Sequence, residues 1–119
     1  MDSLRERLRT ALADAMKVRD ANAVSALRTA LAAIDNAESV DPSYAPRPTA
    51  GPIAGALTGL GAGEVPRREL SEREIEEVVR AEMTGREHAA GEYDRLNRPD
   101  EAARLRAEAA ILRDHLGSG

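Results

Sequence analysis

Cysteine, phenylalanine and tryptophan are absent from this chain, and tyrosine occurs only twice. Without cysteine there is no disulfide, no thiol nucleophile and no thiolate ligand for zinc or an iron–sulfur cluster. Without large aromatics few side chains fill wide gaps. A core must then come from helices that approach closely, near the short end of the usual ~8–10 Å spacing. No apolar run comes near the roughly 20 residues of a membrane span. The opening Met1-Asp-Ser-Leu-Arg-Glu-Arg7 carries charge from its start, unlike the apolar stretch of a signal peptide. The expectation is a cytoplasmic protein without membrane or metal. A basic excess is missing too: the net charge is −4 and the pI about 5.2. That balance argues against broad, charge-driven nucleic-acid binding and leaves local basic patches open.

What is present points to helices. The 119 residues fit one compact domain. Leu, Ile and Val make up 22 of them, just under the fifth at which disorder becomes a serious reading. The small net charge and an apolar share of 42%, much of it alanine, argue against disorder of the whole chain. Alanine, arginine, glutamate and leucine are strong helix formers. Leu4, Leu8, Ala11, Leu12 and Ala15 form one helical stripe; Val24, Leu27, Leu31 and Ile34 form a second. Asp20 and Asn22 stand at the change between them as candidate caps, which predicts helices over 3–18 and 21–38. Ser71 and Glu74 make a capping box, with Leu70 and Ile75 as its hydrophobic staple. The stripe that follows runs Ile75, Val78, Val79, Met83, Ala89, Ala90 and Tyr93. Asn97 marks a turn and Pro99 opens a fourth helix, which buries Ala102, Leu105, Ala109, Leu112 and Leu116 and stops at Gly117.

Between the hairpins, residues 39–63 hold four of the six prolines and five of the nine glycines, with Asp41 and Arg47 as their only charges. This composition predicts a long flexible loop over 39–69, with Ile53, Leu57 and Leu60 as residues that would fold on a protein partner. The fold class is therefore all-α: a small bundle of two helical hairpins, 1–38 and 70–116, joined by a Pro/Gly/Ala-rich loop within one domain.

Glu82 and Arg86 fall within the apolar stripe of the third helix, and Arg28 flanks the stripe of the second. Charges on a core-facing stripe must be paired, because an unpaired buried charge costs several kcal/mol. Two readings stand. Glu82 and Arg86 form a structural ion pair that fixes register, or Arg28 and Arg86 receive an anionic group with Glu82 orienting them. Neither set makes an acid–base machine. His88 with Glu92 supplies two ligands on one helix face, short of the three or four a zinc site takes, so both histidines are read as solvated. No serine sits in a nucleophile elbow and no glycine run ends in Lys-Ser or Lys-Thr, so no catalytic residue and no cofactor is expected. Arg106 and Arg113, one heptad apart with Arg98 nearby, would suit a phosphate backbone. The flanking Asp100, Glu101, Glu108 and Asp114 make a solvated charged face the preferred reading.

Taken in order, five stretches resemble the helical domain of the GatB/YqeY family. They are Leu4-Arg-Glu-Arg-Leu8, Leu27-Arg-Thr-Ala-Leu-Ala-Ala-Ile34-Asp-Asn-Ala-Glu38, Leu70-Ser-Glu-Arg-Glu-Ile75, Glu82-Met-Thr-Gly-Arg86-Glu, and Ala103-Arg-Leu-Arg-Ala-Glu108-Ala-Ala-Ile-Leu112-Arg-Asp-His-Leu116. The likeness spans 3–38 and 70–116, with a long insert between the second and third helices. It implies a YqeY-like module without the family's tail domain, linked to tRNA or to an amidotransferase-type partner. The label it would bring is carbon–nitrogen ligase with glutamine as amide donor. No catalytic motif of the family has a counterpart here. Arg28, Glu82 and Arg86 lie inside the resembling stretches.

Overall fold

A computed structural model describes residues 3–39 and 69–117. Among them stand four helices and no strands: α1 (Leu4–Val18), α2 (Ala21–Glu38), α3 (Glu72–Arg95) and α4 (Pro99–Leu116). This is the expected all-α bundle, and the helix bounds fall where periodicity and capping residues put them. Residues 40–68, and with them Ile53, Leu57 and Leu60, lie outside the described residues.

Local chemistry explains each boundary. The Ser71 side chain accepts from the Glu74 amide at 3.1 Å, and the Glu74 carboxylate accepts from the Ser71 amide at 2.9 Å. Ser3 and Glu6 form a second capping box at the start of α1, which the sequence reading had not picked out. Asp20 caps α2 by accepting from the Ala23 amide; Asn22 lies within the first turn instead. Both hairpin turns close with the same Schellman pattern. In one, the Asp20 amide donates to the Ala15 carbonyl and that of Arg19 to Met16; in the other, Arg98 donates to Tyr93 and Asn97 to Asp94. The residue at the left-handed position is Arg19 (φ 58°) in the first turn and Asn97 (φ 59°) in the second.

α3 and α4 pack along most of their length, α1 packs chiefly on α2, and α2 touches both members of the second hairpin. The core consists of Leu4, Leu8 and Ala15 from α1, a run of α2 from Ala23 to Ile34, Ile75 and Val79 from α3, and Leu112 from α4. On α2 the fully buried positions include Ala26 and Ala30 as well as Ile34, while Val24 and Leu31 sit at the margin. Alanine at the centre of the seam lets neighbouring backbones approach, as the lack of aromatics requires. At the end away from the turns the helices are tied together. Arg5 pairs with Glu38 (2.5 Å), the Leu4 amide donates to Glu72 Oε2 (2.8 Å), and Arg7 donates to the His115 carbonyl (3.4 Å).

Candidate functional site

Arg86 lies at the centre of the charged chemistry on the α3–α4 face. Its Nη1 donates to Glu82 Oε1 at 3.0 Å and to the Glu82 carbonyl at 3.1 Å, and its Nε donates to Glu108 Oε1 at 2.9 Å. Both the Arg86 and Glu108 side chains are almost wholly enclosed; Glu82, at 30% exposure, stands at the rim. The structure thus brings Glu82 and Arg86 together as expected and adds Glu108, which the sequence reading had placed on the solvated face of α4. The signal was there. Glu108 follows Leu105 by three residues and precedes Leu112 by four, so it occupies the apolar stripe itself. The reason it is tolerated is the guanidinium delivered from α3. One buried cation between two carboxylates, with the donors facing them engaged, sets the register of α3 on α4.

Arg28 does not join this group, which corrects the expectation that it reaches the same place. It is exposed, and no described side chain pairs with it. Together with Arg19 it borders a shallow groove of about 650 Å³ at the α1–α2 turn, whose remaining lining is Met16, Ala21, Val24, Ser25 and Thr29. No carboxylate lines the groove, because the nearby Asp20 carboxylate is turned onto the start of α2.

Arg106 and Arg113 are on the outer face of α4 but are engaged across the hairpin, Arg106 with Asp94 at 2.5 Å and Arg113 with Glu87. The Arg106 guanidinium holds the Asp94 carboxyl below the usual aspartate range. His88 is solvated as expected, with Glu92 only at 3.8 Å. His115 is not. It is half-buried, and burial, reinforced by the nearby Arg7 charge, pushes its pKa below the ordinary value while Asp114 opposes the shift. Among the described residues no group of three or more His, Asp or Glu stands together as metal ligands, and no helix is long and apolar enough to cross a membrane.

No protein-family model, curated protein or solved structure matches the chain.

Proposed function

We propose that this chain is a non-catalytic helical binding module of the GatB/YqeY type, acting with tRNA or with an amidotransferase-type protein. The family half of this reading rests on the likeness of the five stretches, taken in order along the chain. The observation that carries the non-catalytic reading is the Glu82–Arg86–Glu108 assembly. Among the described residues Glu108 is the one charged residue in the buried class, and its partner is Arg86. Recognition is then left to the exposed, arginine-bearing surface.

Titration of a labelled tRNA pool with purified protein, followed by anisotropy at two salt concentrations, tests the RNA half. Saturable binding at low salt that weakens as salt rises is the expected result; no saturation at low salt removes tRNA from the reading. Glutamine-dependent product formation by this chain alone, lost in Glu82→Gln, would overturn the non-catalytic assignment.

A further inference from the structure

The α1–α2 turn places an arginine at its left-handed position. A non-glycine side chain in the left-handed region is crowded against its own backbone, and the slot is normally filled by glycine or, less often, asparagine. The second hairpin follows that rule with Asn97; the first, in the same hydrogen-bonded turn, has Arg19. The backbone cost at Arg19 is offset by the hydrogen bonds that close the turn, while no described side chain forms a hydrogen bond or ion pair with its guanidinium. The Arg19 side chain is therefore left to solvent at the edge of the turn.

Its surroundings indicate what it can bind. Arg19 and Arg28 border one groove that no carboxylate lines, the Asp20 carboxylate being committed to the Ala23 amide at the start of α2. Between the two arginines the wall is largely apolar, with Met16, Ala21 and Val24 beside Ser25 and Thr29. The three large apolar residues most exposed among those described, Met16 (49%), Val18 (74%) and Leu96 (66%), all lie at hairpin turns, and the first two flank this one. A phosphate backbone would leave the apolar wall unused, and the groove holds no aromatic ring on which a base would stack. An amphipathic peptide uses both features. Its apolar side chains cover Met16 and Val24, and its carboxylates meet the two guanidiniums. The flexible thioether of Met16 suits such a contact.

We infer that the α1–α2 groove docks an acidic amphipathic segment of a partner protein, with Arg19 and Arg28 reading its carboxylates. This rests on the reading of the chain as a binding module and not on its family. The test is selection from a displayed library of helical peptides on the intact chain, with counter-selection on the double variant Arg19→Gly, Arg28→Gln. Glycine suits the left-handed turn and Arg28 is exposed, so the variant should melt no lower than wild type. Expected is enrichment of peptides that combine Asp or Glu with apolar residues at helical spacing. Their affinity should fall about tenfold or more in the double variant and weaken with salt. Enrichment indifferent to the variant, or enrichment of basic or neutral peptides, overturns the proposal, as does no enrichment at all. A tRNA pool titrated in parallel separates the two readings. If tRNA binds and acidic peptides do not, the docking proposal falls and the RNA reading stands; the converse removes tRNA and keeps the groove.

Discussion

Arg86 draws two carboxylates onto one guanidinium, one from its own helix and one from the next, in surroundings that exclude most water. Removing it would strand Glu108. Arg86→Ala is expected to destabilise the fold by about 3 kcal/mol or more, the usual cost of an orphaned buried charge. Replacing both charges with apolar groups, Arg86→Met with Glu108→Leu, should recover most of that loss. Thermal and urea melts of the single and double variants measure the difference. A single variant that melts like wild type would show the pair to be solvated. Two of the three members of this cluster were legible in the sequence. Glu82 and Arg86 are one helical turn apart within an apolar stripe, and that spacing carries its own meaning. Glu108 stands in the apolar stripe of α4 between Leu105 and Leu112, but the partner that makes its burial tolerable comes from another helix, and no local pattern names it. Arg28 failed for the opposite reason: its place beside a stripe said nothing about which side of the bundle that flank faces.

The helices themselves were far more legible, since a cap and an apolar stripe are local and independent of the rest of the fold. The left-handed turn at Arg19 was the exception. Arginine gives no such signal, and only backbone geometry reveals it. Within α3 the two glycines, Gly85 and Gly91, have no packing reason in the bundle, because a Cβ built at either meets nothing within 4 Å. Gly85→Ala and Gly91→Ala should each stabilise the protein by about 0.5–1 kcal/mol, the entropy cost of glycine inside a helix. Each would appear as a rise in the midpoint of thermal unfolding. A fall at either position would mean that the space beside the helix is occupied in solution.

For the whole molecule, acidity acts through the end where α1 meets α4. The folded His115 imidazole holds a proton less tightly than the ordinary value of 6.5, through burial first and the Arg7 charge second. The unfolded chain therefore binds more protons in this range. The contribution of His115 to stability is complete above about pH 6.5 and declines as the pH falls through the lower, folded value. His115→Gln should lessen the loss of stability between about pH 7.5 and 5, read from urea midpoints. An identical decline in both proteins would assign the acid sensitivity to carboxylates.

The same end of the bundle has a consequence for how the chain is strung. Glu38, Glu72 and His115 all contact the first turn of α1, so the three helix ends away from the turns converge on one point. Neighbouring points need only a few residues to join them, at roughly 3.3–3.6 Å each. Bridging alone therefore does not call for a segment as long as 40–68. The order of the hairpins is not dictated by the packing. A circular permutant opened within that segment, with Ser3 tethered to Gly117, would preserve every contact described above.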